Sequence, residues 1–142
     1  MIIEDSITIH APIQKVWETF TDITCWDNWN TVLKNVSQDK AEVLTKGGKV
    51  RFCIYPFKFP VYFEPIIEEI IPNKKVVWTS GKFGVVARHE FIFNEVDNGV
   101  RVSSKETFKG ISLKTLSFLF PRSRLKKLTI SFLRDLKKAA EQ

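Results

Sequence analysis

Residues 85–110 read VVARHEFIFNEVDNGVRVSSKETFKG. Apolar and polar residues alternate on both sides of Asn98-Gly99, a pair that supplies the positive φ angles of a tight turn with the twist of its flanking strands. The segment is expected to form the longest antiparallel pair of the chain. With Asn98 and Gly99 at the turn, Asp97 faces Val100, Phe93 faces Ser104, Phe91 faces Glu106 and His89 faces Phe108. One face then carries Val85, Ala87, His89, Phe91 and Phe93 with Val100, Val102, Ser104, Glu106 and Phe108. The other carries Arg88, Glu90, Arg101, Ser103 and Lys105. Burying the phenylalanines forces His89 and Glu106 inward as diagonal neighbours, because strand side chains alternate strictly.

Upstream of this hairpin, punctuated strands continue. KKVVWTSG at 74–81 is short and ends at a glycine, and FPVYFEPIIEEIIP at 59–72 is bounded by prolines, with Pro65 at an edge position or a bulge. GGKVRFCIYP follows the Gly47-Gly48 turn, and a weaker strand covers about 31–38. At the start, Ile3, Ile7 and Ile9 begin a half-buried strand that HAP interrupts. Pro12 suits the first turn of a helix over 12–21, with Ile13, Val16, Trp17 and Phe20 on one side. Asp22 can cap a second, shorter helix holding Trp26 and Trp29. These two indoles either line a cavity mouth and stack on a planar ligand or glue the short helices to the core; the polar DNWN context of Trp29 favours the core.

Downstream of Gly110 the strand punctuation stops. Leu125, Leu128, Thr129, Phe132, Leu136 and Ala139 recur at helical spacing, opposite Lys127, Arg134 and Lys138. Pro121 separates a short apolar helix from this long one. The order is strand, two short helices, about six strands and a long terminal helix, an α+β layout in which a curved antiparallel sheet of about seven strands covers the long helix.

At 142 residues the chain suits one domain, 1–142, with a single sizeable core. Glu4 and Asp5 stand where a signal peptide would be basic and then apolar, and no segment has the length of a membrane span, so a soluble, cytoplasmic protein is expected. Cys25 and Cys53 lack partners at disulfide or zinc spacing and are expected to be small buried or half-buried residues. The net charge of +6 is spread, except near the C-terminus, rather than gathered on one face, so a nucleic-acid partner is not expected. Twelve phenylalanines instead point to a large apolar interior, either packed or lining a cavity.

The stretches ITIHAPIQKVWETFTDITCWDNWN, VVWTSG and RHEF followed by NGVRVSSKETFKG resemble the START-like superfamily, in its polyketide cyclase/dehydrase and lipid-transport branch. The likeness spans nearly the whole chain. It implies the helix-grip fold, in which relatives hold an apolar ligand between sheet and long helix. Family members often carry Asn-Pro after the second tryptophan, where this chain has Asn30-Thr31-Val32.

The expected cavity residues are Trp29, Phe52, Trp78, His89, Phe91, Phe93, Ser104, Glu106, Phe108, Leu125, Leu128 and Phe132. A buried carboxylate beside an imidazole is what a proton-transfer enzyme uses, so His89 and Glu106 are the catalytic candidates of a cyclase-type enzyme. The same pair, satisfying itself or a cavity water, merely makes a carrier's pocket amphipathic. His10 is expected at the surface or as a cap. No phosphate loop, metal cluster or hydrolase elbow is present, so neither cofactor nor metal is expected. The partner is a small hydrophobic ligand that the protein binds or transports. Leu116 and Phe118 to Phe120, beside Arg122, Arg124, Lys126 and Lys127, suggest transient contact with an anionic membrane, or else the solvated face of a buried helix. The oligomeric state stays open between a monomer and a weak dimer.

Overall fold

The computed structural model describes residues 1–38, 43–55, 58–82, 84–110, 114, 117–118 and 121–142. Its elements are β1 (Ile2–Ile9), α1 (Ile13–Thr21), a 3-10 turn (Ile23–Cys25), α2 (Trp26–Trp29), β2 (Lys34–Gln38), β3 (Val50–Ile54), β4 (Val61–Phe63), β5 (Ile66–Ile71), β6 (Lys75–Lys82), β7 (Val85–Val96), β8 (Gly99–Gly110) and α3 (Arg122–Ala140). The described residues form eight strands where about seven were expected, because Pro65 divides one apolar run into β4 and β5, which belong to different sheets. Five strands run in the order β1-β8-β7-β6-β5 and three in the order β2-β3-β4. The sheets join where Lys49 bridges Ile66 and where the Val50 N–H donates to the Pro65 carbonyl at 2.9 Å.

The β7–β8 hairpin is the longest pair, with 12 residues in each strand. Its register differs from the expected one by two residues: Val96 pairs with Gly99, Phe93 with Val102, Phe91 with Ser104, His89 with Glu106 and Ala87 with Phe108. The loop is Asp97-Asn98, and neither residue takes a positive φ. That angle falls instead on Gly99, at +151°, where a Cβ would stand 2.0 Å from the Ile9 carbonyl oxygen. Gly99 is thus needed for the close approach of the end of β1 rather than for the turn centre. A shift of two preserves parity, so every side chain keeps its expected face.

Pro12 precedes the first turn of α1, which buries Val16 and Phe20. The Phe20 ring is the hub of the core, lying 4.8 Å from Phe91, 5.3 Å from Phe93, 5.7 Å from Trp26 and 6.2 Å from both Trp78 and Phe132. Asp22 caps the 3-10 turn through the Thr24 N–H rather than α2 as expected, because that turn intervenes and leaves Cys25 at the N-cap of α2. The Thr24 hydroxyl, foremost, holds the Asp22 carboxyl below its usual pKa. Trp26 is fully buried and its indole N–H donates to the Phe20 carbonyl at 2.7 Å, so it is core. Trp29 is half-buried against Trp26 and Phe132. The buried Asn30 closes the turn after Trp29: its side-chain oxygen accepts from the Val32 and Leu33 N–H groups. Thr31 then anchors to Asp135 of α3 through its N–H at 2.7 Å and its hydroxyl at 2.8 Å. Cys53 is buried as expected, whereas Cys25 is exposed, since it ends the 3-10 turn on the outer side.

The helix α3 buries Leu125, Thr129, Phe132, Leu133, Leu136 and Ala140. This face is turned relative to the expected stripe: Leu133 and Ala140 are buried, while Leu128 and Ala139 are only half-buried. The turn brings cationic side chains onto β1, the outer strand of its sheet. Arg122 donates to the Ile2 carbonyl at 3.3 Å, Lys126 to that of Glu4, and Lys137 to that of Thr8 at 2.8 Å. An open strand edge is a template for unwanted pairing, and these donors occupy it. His10, exposed as expected, closes the far corner. Its N–H donates to Glu141 at 2.8 Å, and its Nδ1 lies 3.1 Å from the Asn98 carbonyl. Lys137, foremost, and the His10 N–H hold the Glu141 carboxyl below its usual pKa. Of the short apolar helix expected before Pro121, Lys114, Ser117 and Phe118 are described and helical, with Phe118 83% exposed; Leu116 and Phe120 lie outside the described residues.

Candidate functional site

Between the sheet and the first half of α3 lies a cavity of about 140 Å³. The strand period that buries Phe91 and Phe108 also delivers Ala87, His89, Ser104 and Glu106 to its wall. From β6, Trp78, Ser80 and Lys82 share one parity and reach the same space; β3 contributes Phe52 and Ile54, and α3 contributes Leu125, Leu128, Thr129 and Phe132. Ten of the twelve expected residues therefore meet around one cavity. Trp29 and Phe93 do not line it. Phe93 is turned into the aromatic cluster under α1, with its ring edge-on to Trp17 at 5.1 Å, and Trp29 packs behind Phe132 at 5.4 Å.

Several lining residues were missed. Ser80 and Lys82 follow from Trp78 by strand alternation, a signal that was present in the sequence. Val32, Leu33 and Phe63 depend on how the three-stranded sheet folds over the five-stranded one, which no local pattern encodes. Lys82 donates to the Tyr62 carbonyl and its ammonium lies 5.5 Å from the Phe63 ring centre.

The polar groups inside this apolar wall are ordered. His89 stacks on Phe91, with ring centres 4.1 Å apart and planes 21° apart, and stands edge-on to Trp78 at 5.5 Å. Packing between these rings fixes the imidazole plane. Its Nε2 lies 2.7 Å from the Ser104 hydroxyl and its Nδ1 3.4 Å from a Glu106 carboxylate oxygen. Side-chain exposures of 15% for His89 and 21% for Glu106 place the pair in the cavity wall rather than on the outer face. Because the sequence register was two residues off, the pair is directly opposed across the ladder, not diagonal. An ionised carboxylate only accepts hydrogen bonds. The arrangement that satisfies all three groups has Nδ1–H toward Glu106 and Nε2 accepting from the Ser104 hydroxyl. Such a set can hold a polar ligand atom or move a proton.

Residues 1–141 match the family described as polyketide cyclase/dehydrase and lipid transport. The chain belongs to this family. Members of the polyketide cyclase/dehydrase and lipid-transport family are recognised here by sequence across the whole fold, and solved structures agree in shape. A hypothetical protein, jhp0584, from Helicobacter pylori superposes with a TM-score of 0.80 at 16% identity, covering 99% of this chain and 88% of that one. TTHA0849 from Thermus thermophilus gives 0.81 at 14% identity, covering 99% and 97%. The di-domain ARO/CYC BexL of the BE-7585A biosynthetic pathway gives 0.81 at 16% identity, covering 100% of this chain and 50% of that one. No curated protein matches the chain by sequence. At these identities the structures speak to the fold, which is the helix-grip arrangement of sheet and long helix.

Proposed function

We propose that this protein binds or transports a small hydrophobic ligand of lipid, isoprenoid or polyketide type in the cavity between the sheet and α3. The observation that carries this reading is a largely apolar wall in which His89, Ser104 and Glu106 adjoin as a polar set. Ligand sites combine an apolar lining with a few placed polar groups in this way. The volume supports a modest occupant, since a cavity of about 150 Å³ admits a benzene ring. A larger ligand would place one ring or chain end here. Native mass spectrometry of the protein as purified tests the reading directly: a retained apolar molecule, released when Leu125→Trp or Leu128→Trp fills the cavity, is expected.

A second reading has its own observation. The opposed His89–Glu106 pair faces the cavity, and BexL, which shares the fold, is an aromatase/cyclase by its name. On that reading the pair would move protons on a bound polyketide-like substrate. Glu106→Gln separates the two. A carrier keeps ligand affinity within a few-fold, because the amide still fills the site. A cyclase keeps binding but loses turnover, since an amide does not exchange a proton at neutral pH.

Delivery from a membrane would suit either reading. Exposed Phe59 and Phe118, with exposed Arg124 and Lys127 at the start of α3, support transient contact with an anionic surface. Arg122 and Lys126, also expected at that contact, lie against the β1 carbonyls of Ile2 and Glu4. No described helix is long and apolar enough to cross a membrane. The exposed free thiol of Cys25 supports a reducing compartment such as the cytoplasm.

A further inference from the structure

Neither reading uses the Ser104 hydroxyl for chemistry, yet its surroundings are those of an activated nucleophile. Ser104 and Glu106 stand two residues apart on β8, and His89 opposes Glu106 on β7, so one imidazole touches both. The order is hydroxyl, Nε2, Nδ1, carboxylate, at 2.7 Å and 3.4 Å. A serine is made reactive when a base lies within hydrogen-bond reach and a third group orients that base, and the constellation is recognised by geometry rather than by sequence order. A 3.4 Å contact is long for a made hydrogen bond, and such contacts tighten when substrate binds. Stacking on Phe91 holds the ring so that Nε2 keeps facing Ser104.

We propose that Ser104, His89 and Glu106 form a nucleophilic relay that hydrolyses a small apolar ester or thioester. The inference rests on the ligand-binding reading, because the acyl group must occupy the cavity. The Ser104 oxygen attacks the carbonyl carbon while its proton passes to Nε2 of His89. The tetrahedral adduct collapses, the bond to the leaving oxygen or sulfur breaks, and that atom takes the proton from Nε2 as it departs. Water then attacks the acyl-serine, giving its proton to Nε2, and the carboxylic acid leaves as Ser104 recovers its hydrogen. Glu106, facing Nδ1, stabilises the transient imidazolium. Trp78 and Ser80 line the same wall and carry N–H and O–H groups of the kind that stabilise a developing oxyanion. Ser104 is only 2% exposed and the cavity is about ring-sized, so single-ring or short-chain acyl groups are selected over long ones.

Phenylmethanesulfonyl fluoride, a one-ring sulfonylating reagent, tests this on the intact wild-type protein. One adduct is expected, mapped by peptide mass spectrometry to Ser104, absent in Ser104→Ala and formed about 10²-fold more slowly in His89→Gln. Hydrolysis of p-nitrophenyl acetate should saturate and should fall to background in the same variants, while p-nitrophenyl palmitate is a poor substrate. Mapping the wild type needs no variant to fold. No adduct at Ser104, with toluene still shifting the cavity methyl signals in NMR, overturns the relay and leaves the binding reading standing. No adduct and no toluene shift overturns both.

Discussion

Truncating Phe132 to alanine probes whether α3 and the sheet enclose a cavity or a filled core. The ring is 6% exposed and sits 5.4 Å from Trp29, 5.8 Å from Trp26, 6.0 Å from Phe91 and 6.2 Å from Phe20, while part of it borders the cavity. Phe→Ala in a packed interior costs about 3–5 kcal/mol. The cavity side already lacks partner atoms, so fewer dispersion contacts are lost there and the cost belongs near the lower end, about 3 kcal/mol. For a chain of this length that lowers the melting temperature by roughly 10 °C. Leu136→Ala is the control: Leu136 is fully buried yet does not line the cavity, so it should lose about 2–5 kcal/mol without enlarging the void. Urea unfolding gives both values, and naphthalene uptake, read by quenching of tryptophan fluorescence, reports the space. Phe132→Ala should gain uptake of this two-ring probe and Leu136→Ala should not. A Phe132→Ala cost under about 1 kcal/mol with unchanged uptake would refute the placement of α3 over the cavity.

Gly99→Ala should destabilise by more than about 2 kcal/mol, because a Cβ there meets the Ile9 carbonyl oxygen at 2.0 Å; an unchanged melting temperature would contradict the observed register. The Glu141 carboxyl titrates below its ordinary value of 4.5 in the folded protein, so its stabilising contribution is complete above that value and fades as pH falls through the lowered one. Wild type should therefore exceed Glu141→Gln in melting temperature at neutral pH, with the gap closing in acid; a gap that widens in acid would show the sign to be wrong. Liposome co-sedimentation should require anionic lipid, weaken with salt and diminish in Lys127→Glu; equal binding to neutral vesicles would remove the membrane contact.

The fold was legible where two rules acted together. Strict alternation around Asn98-Gly99 placed His89, Ser104 and Glu106 on the inner face even though the cross-strand pairing was set two residues off, since parity survives an even shift. The long helix was legible from its spacing, but its rotation was not: the contacts of Arg122, Lys126 and Lys137 with β1 lie more than a hundred residues away in sequence and decide that Leu133 turns inward. Pro65 was legible as an edge position or a bulge but not as a change of sheet, which depends on the Lys49–Ile66 bridge. Trp29 and Phe93 show the limit of reading a site from residue type: both are aromatic and near the cavity, and only packing tells which ring fills the core and which faces the space. Ser104 was seen as a polar partner; its place against Nε2 required the true register, because that register alone sets His89 opposite Glu106.

The most direct measurement is a methyl-labelled NMR titration with toluene, a ligand of the size the cavity admits. Saturable shifts are predicted at Val85, Ala87, Leu125 and Leu128, which line the space, with Val16 and Leu136 in the packed core unmoved. Shifts confined to surface methyls, or none at saturating toluene, would contradict the claim that the sheet and α3 hold an apolar ligand between them.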